Sequence, residues 1–282
     1  MGDLTGKAAF VTGAARGQGR AHAVRLARDG ADVIAVDVCA PVPPSRIPPA
    51  TLADLEETAR LVRETGRGVV ARVADVRDLA ALRRVVAEGV ERFGGLDIVV
   101  ANAGIATGGP TVDLTEDAWL TTVDVNLSGA WRTCAAAVPA MVETGRGGSI
   151  VLTSSIAGLR GLPLAAAYSA SKHGLVGLCR VLALELAGHD IRVNTIHPHG
   201  VNTPMANVRE DLAPGEAGRD HGRAARTGGL DPAVFGVLGQ LLPVGRIAEP
   251  EEIAAVVSWL VSADARFLTG AQIPIDFGNQ LL

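Results

Sequence analysis

Short, almost wholly apolar runs alternate along this chain with longer segments whose apolar residues fall at helical spacing, and that alternation limits the fold more than any other feature. Ile98-Val99-Val100-Ala101 is the plainest run, since a strand with no polar side has to be covered on both faces. Strands of that kind pair in parallel and are joined by helical crossovers. The spacing predicts strands over 7–12, 32–37, 68–73, 96–101, 149–154, 191–197 and 272–275, and helices over 17–28, 79–93, 118–143, 166–187 and 250–261. Together they specify an α/β fold, a doubly wound parallel sheet of about seven strands with right-handed crossovers.

Two segments interrupt the rhythm. Residues 39–49 carry Pro41, Pro43, Pro44, Pro48 and Pro49, which excludes regular helix or sheet and predicts an extended loop beside the second strand. The stretch at about 204–246, rich in glycine and charge with an apolar patch over 234–242, follows the sixth strand and is predicted to be a lid on the substrate side. Neither a repeat nor a linker composition divides the chain, so a single domain over 1–282 is expected.

With 282 residues of which 48% are hydrophobic, a substantial core can form. The net charge is −4 and the arginines are dispersed along helices, which argues against a nucleic-acid partner. Cys39, Cys134 and Cys179 are odd in number and lack CxxC spacing, so a disulfide frame or zinc site is not expected and a reducing compartment is. No apolar run approaches a bilayer span and the first residues lack a leader pattern, which predicts a cytoplasmic protein that avoids membranes.

Thr12-Gly13-Ala14-Ala15-Arg16-Gly17-Gln18-Gly19 lies between the first strand and the first helix. Glycines there let the backbone approach a pyrophosphate, and the helix N-terminus faces negative charge. The second strand ends in Asp37, where a carboxylate accepts hydrogen bonds from an adenosine ribose and repels a 2′-phosphate. That favours NAD over NADP, although the Arg16 guanidinium inside the turn is a group able to hold such a phosphate.

Tyr168, the only tyrosine, stands four residues before Lys172, one of two lysines. On a helix this spacing places both on one side. An ammonium about 4 Å away at an effective dielectric of about 20 is worth roughly 4 kcal/mol, or about three pKa units, which predicts a phenol near neutrality. His197 and His199 are separated by Pro198 and share no acidic or thiol neighbour at ligand spacing, so no metal site is expected. His22 and His173 are expected to serve packing or a backbone hydrogen bond, and Trp119, Trp131 and Trp259 a core or subunit contact.

The glycine turn, the Asn102-Ala103-Gly104 turn after the fourth strand, Ser155, Tyr168 and Lys172 together resemble the short-chain dehydrogenase/reductase family, with its Rossmann-type fold. The turn over 12–28, the proline-bearing insert and the run His197-Pro198-His199-Gly200-Val201-Asn202-Thr203-Pro204-Met205 resemble its carveol-dehydrogenase-like, mycofactocin-coupled subgroup. The resemblance implies that Tyr168 exchanges a proton with a secondary alcohol or ketone, a cyclic terpenoid such as carveol. Lys172 would lower the phenol pKa and hold the nicotinamide ribose, Ser155 would orient the substrate oxygen, and Asn126 would bind a water linking Lys172 to solvent. It also implies that Asp75 and Val76 meet the adenine, that Asn102, Ala103 and Gly104 line the adenosine side, and that Ile105 contacts the ribose. Pro198, Val201 and Thr203 would follow the sixth strand beside the nicotinamide, with Thr203 at the carboxamide. The family usually has Pro-Gly where this chain has Pro198-His199, which alters the backbone expected there. A homotetramer is implied, as are a nicotinamide held without exchanging and mycofactocin as external electron acceptor. Two other readings stay open: an NADPH-dependent ketoacyl or quinone reductase, and a non-catalytic NAD-binding redox sensor.

Overall fold

The structure is a computed structural model that describes residues 3–206 and 243–281. Its sheet contains β1 (Ala8–Thr12), β2 (Asp32–Asp37), β3 (Val69–Val73), β4 (Ile98–Ala101), β5 (Gly148–Thr153), β6 (Ile191–Pro198) and β7 (Gln272–Ile275). The strands lie in the order β3-β2-β1-β4-β5-β6-β7 and pair in parallel throughout. Side chains alternate between the faces as the two-residue period requires: Ala9 and Val11 join one apolar layer, Phe10 the other.

Helices α1 (Gly17–Arg28), α2 (Leu52–Glu64) and α7 (Pro250–Val261) cover the first face, through Leu26, Leu55, Ile253 and Leu260. The second face is covered by α3 (Leu79–Phe93), α5 (Gly129–Thr144) and α6 (Ala166–Leu186), through Leu82, Met141 and Leu175. Each such fully buried side chain contributes about 1.5–3 kcal/mol of transfer free energy. Local signals set the ends. Asp78 caps α3 by accepting the Ala81 N–H at 2.9 Å, and Gly94 closes it with φ +76°. Pro250 opens α7, where no N–H is required.

The expected bounds of α1, α3, α7, β2 and β7 coincide with those observed. Helix α2 was not expected, although Thr51 and Asp54 form a reciprocal capping box before it and Leu55, Ala59 and Val62 supply a buried stripe. The helix expected over 118–143 is instead α4 (Glu116–Val123), a π-helical turn (Asp124–Ser128) and α5. The expected lid lies, over residues 207–242, outside the described residues. Among the described residues no helix is long and apolar enough to cross a membrane.

Candidate active site

The sheet order reverses between β1 and β4, which opens a crevice beyond the carboxyl ends of the strands. One cavity in this crevice brings together Gly13, the run from Arg16 to Gly19, Asp37, Asp75, Val76, the run from Asn102 to Ile105, Tyr168, Lys172 and Thr203. Gly13 has φ +65°, and a Cβ there would lie 2.9 Å from the Ala103 Cα, so the two turns touch backbone to backbone. Thr12 locks them, its Oγ1 accepting the N–H groups of both Asn102 and Ala103 at 3.1 Å. Thr12 was not among the expected site residues; a hydroxyl at the last position of a strand before a glycine turn was its only signal.

Asp37 supports the turn from behind. Its carboxylate accepts the N–H of Ala15 at 3.1 Å and that of Cys39 at 3.2 Å. Ala15 is fully buried and does not line the cavity, so its role is in the turn. The proline-bearing insert holds neither helix nor strand, as expected, but turns at Pro43–Pro44, where the Ser45 N–H donates to the Val42 carbonyl at 3.0 Å, and Val42, Ser45, Ile47, Pro48 and Pro49 form a wall of the same cavity. Arg16 fastens it by donating to the carbonyls of Pro48 and, at 3.3 Å, Pro49. The guanidinium that competed with Asp37 in the choice of cofactor is therefore spent on the insert.

The N-terminus of α1 has no side-chain cap and no acidic residue in its first turn, which leaves its N–H groups for an anion. Gln18 Oε1 and Thr153 Oγ1 are enclosed with no hydrogen-bond partner among the described residues, and both residues line the cavity. A close backbone approach, an open helix end, a carboxylate 22 positions from the turn and enclosed polar atoms fit a dinucleotide.

Tyr168 and Lys172 share one side of α6 and are buried at 9% and 4% exposure. Lys172 Nζ donates to the Thr153 carbonyl at 2.7 Å and lies 5.6 Å from the centre of the Tyr168 ring. Burial pushes the ammonium pKa down to about 8. It raises the phenol, against a hydrogen bond from Ser155 that lowers it. The expected phenol near neutrality is thus not what the protein alone provides. Desolvation by burial is the leading cause for both groups, and the ammonium donates to the Thr153 carbonyl.

The structure separates the two neighbouring serines. Ser154 Oγ donates to the Lys172 carbonyl at 2.9 Å and fastens β5 to α6, whereas the Ser155 hydroxyl meets the phenol. His197 fixes Ser155 from below: its Nδ1 donates to the Ser155 carbonyl at 2.8 Å, and Nε2 lies 2.8 Å from Thr195 Oγ1. A carbonyl only accepts, so Nδ1 carries the proton. His197 enters here as a positioning residue. Its sequence neighbours gave no hint, because Ser155 is 42 positions away.

Asn126 sits in the π-helical turn, wholly buried, with Oδ1 accepting the Ile105 N–H at 2.8 Å. Its Nδ2 donates to the Ile105 carbonyl at 2.9 Å and to Ser171 Oγ at 3.1 Å. A Cβ on Gly104 would lie 3.3 Å from Asn126 Oδ1 and 3.5 Å from Lys172 Nζ, so the Gly104 backbone runs close against both side chains.

A second cavity adjoins the first and shares Gln18, Ser154, Tyr168, Thr203 and Met205 with it. Ser155, Pro198 and Val201 line this one. Ile156, Leu162 and Ala206 make it largely apolar. His173 Nδ1 donates to the Ser169 carbonyl at 2.9 Å, as expected, while among the described residues neither ring nitrogen of the buried His22 has a hydrogen-bond partner. Trp119, Trp131 and Trp259 are 40%, 49% and 41% exposed and are not core residues.

The chain belongs to the short-chain dehydrogenase/reductase family, a class of oxidoreductases; residues 13–280 match the family described as enoyl-(acyl carrier protein) reductase. A relative from Mycobacterium tuberculosis, an NAD-dependent oxidoreductase, is 50% identical over 98% of this chain and 97% of its own. The (−)-trans-carveol dehydrogenase of Rhodococcus erythropolis is 44% identical over the full length of both. The crystal structure of carveol dehydrogenase from Mycobacterium avium in complex with NAD is 41% identical and superimposes over both whole chains with a TM-score of 0.88.

Proposed function

We propose that the protein is an NAD-dependent dehydrogenase that interconverts an apolar secondary alcohol and its ketone, a cyclic terpenoid such as carveol. The observation that carries this reading is the position of Tyr168, whose side chain lines both the cavity built for a dinucleotide and the apolar cavity beside it. A nicotinamide held in the first cavity would supply the hydride acceptor for the alcohol carbon, or the hydride donor for the ketone. Tyr168 exchanges the proton of the substrate oxygen. Ser155 accepts the Ala157 N–H at 3.2 Å, and its hydroxyl, which meets the phenol in the free protein, turns its proton to that oxygen when substrate binds. Lys172 holds the ribose and favours negative charge on the phenolic oxygen once its proton has left. Asn126 steadies the Gly104–Ile105 backbone against Lys172 and binds a water that links the lysine to solvent.

NAD in preference to NADP is supported by Asp37 beside the turn and by the engagement of Arg16 with the insert. The insert, as a wall of the cavity, supports a nicotinamide that does not exchange in turnover and passes its electrons to mycofactocin. A homotetramer is proposed through the exposed Trp119, Leu120 and Trp131 on α4 and α5 and Val181 and Leu184 on α6, to be read by sedimentation.

The test is Tyr168→Phe. Turnover of carveol with an artificial acceptor should fall about 10²–10⁴-fold with NAD binding retained. Unchanged turnover refutes the role of the phenol, and tighter binding of NADPH than NADH refutes that of Asp37. Mass spectrometry of the denatured protein should find NAD; fast steady-state turnover in added NAD would refute the non-exchanging cofactor.

A further inference from the structure

His199 occupies the position after Pro198 where the resembled family carries glycine, and it lines the second cavity together with Ser155 and Tyr168. The residue is fixed from the backbone, its N–H donating to the Ile275 carbonyl of β7 at 3.1 Å. Its ring Nδ1 is enclosed and has no hydrogen-bond partner among the described residues. Burial and the nearby charge of Arg160 keep its pKa below the ordinary histidine value, so the ring is neutral at pH 7. Arg160 lines the same cavity, but its guanidinium is already bonded to Asn279 Oδ1.

Ile156, Leu162, Val201 and Met205 make up an apolar stretch of the remaining wall, and its other polar side chains, Gln18, Ser154 and Thr203, lie on the edge shared with the first cavity. The cavity is therefore apolar between two polar ends. One end is the Ser155 and Tyr168 hydroxyls, which the proposed reaction uses. The other is an imidazole nitrogen that the reaction does not use and that no protein group satisfies. An enclosed, unpaired nitrogen costs about 1–3 kcal/mol, and a ligand oxygen removes that cost on binding.

We infer that His199 is a specificity-determining residue, binding through its ring a second, uncharged oxygen of the substrate, so that the enzyme prefers a cyclic alcohol bearing a further hydroxyl or carbonyl over the mono-oxygenated ring. A neutral imidazole both accepts from a hydroxyl and donates to a carbonyl, whichever tautomer it holds. The inference rests on the dehydrogenase reading of the site, and the experiment keeps the two apart.

The ratio of kcat/KM for cyclohexane-1,3- or 1,4-diol to that for cyclohexanol is measured in the wild type, His199→Leu and His199→Asn. In parallel, the binding of 4-hydroxycyclohexanone and of cyclohexanone to the NAD-loaded proteins is measured by calorimetry. The wild type should favour the additional oxygen by about tenfold in one diol and in binding. His199→Leu should bring both ratios close to one, and His199→Asn, whose amide offers hydrogen-bonding atoms near the place of Nδ1, should recover most of the preference. A purely structural histidine would change stability in both variants and leave the ratios alone. Turnover of all alcohols with equal efficiency, unaltered by His199→Leu, overturns the inference while the dehydrogenase reading stands. Absence of all turnover, with 4-hydroxycyclohexanone still bound more tightly by the wild type and not by His199→Leu, overturns the reading while the inference stands.

Discussion

Replacing Lys172 by methionine should stabilise the nucleotide-free protein while abolishing its activity. The side chain is 4% exposed, and burial takes its pKa from the ordinary 10.5 to about 8. At pH 7 that displacement corresponds to roughly 3 kcal/mol of stability lost by holding an ammonium in the fold. The sign follows from proton counting. Between the folded and unfolded values the unfolded chain binds more protons, so stability rises with pH across this window; the penalty is complete below about 8 and gone above 10.5. Methionine removes the charge but leaves the Thr153 carbonyl without its 2.7 Å partner. An unsatisfied buried carbonyl costs about 1–2 kcal/mol, so a net gain of about 1–2 kcal/mol is expected at pH 7. For a chain of this size that is a rise in Tm of about 2–6 °C. Thermal melting of wild type and Lys172→Met, freed of nucleotide at one protein concentration, should show a difference that shrinks and then reverses between pH 8 and 10.5. A variant less stable at every pH, or a difference that ignores pH, would refute the idea that the ammonium is held at a cost.

Further outcomes follow from other buried groups. His22 is fully enclosed and its pKa is pushed down to about 3, so it binds a proton only on unfolding; stability present above the unfolded value of 6.5 should be lost as pH falls toward 3. At pH 5 that amounts to about 2 kcal/mol, and His22→Leu should lose about that much less between pH 7 and 5 in urea titrations; an identical loss would refute it. Asp37→Ser should weaken NADH binding by about tenfold or more and narrow the preference over NADPH, since it removes both the acceptor of the Ala15 N–H and the negative charge; an unchanged ratio of dissociation constants would count against the role of Asp37. Arg16→Ala frees the carbonyls of Pro48 and Pro49, and should raise protease cleavage within 39–50 and the dissociation rate of NAD about tenfold; equal rates would mean the insert is held by other contacts.

The strands and most helices were legible because their signal is periodicity, and a two-sided apolar run such as β4 has few alternatives in a chain this long. The glycine turn, Asp37, Tyr168 and Lys172 were legible for a related reason, as each pair lies close in sequence or at a strand end that the period already located. Helix α2 is less legible because a run of prolines precedes it, although Thr51 and Asp54 spell out its capping box. The π-helical turn was not legible at all: nothing in Asp124-Val125-Asn126 marks one extra residue per turn, and it is tertiary pairing of Asn126 with Ile105 that rewards it. Contacts between distant segments, such as His197 with Ser155 or Thr12 with Ala103, leave no local pattern to read.

The buried polar groups at the carboxyl ends of the strands divide into two kinds, and the division separates scaffold from site. Asn126 spends its donors and an acceptor on Ile105 and Ser171, His197 is bonded through both ring nitrogens, and Ser154 is committed to α6. Polar groups satisfied in this way fix geometry, because any movement exposes the full cost of an unpaired atom in a low-dielectric interior. Gln18 Oε1, Thr153 Oγ1 and His199 Nδ1 are enclosed without such partners among the described residues, and all three residues line one or other of the adjoining cavities. An enclosed atom that no protein group satisfies lowers stability, and that loss is recovered only when something from outside binds it. The satisfied set therefore fixes the backbone and side chains around Tyr168 and Ser155, and on the proposed reading the unsatisfied set is where a dinucleotide and a substrate would make the contacts that the protein leaves open.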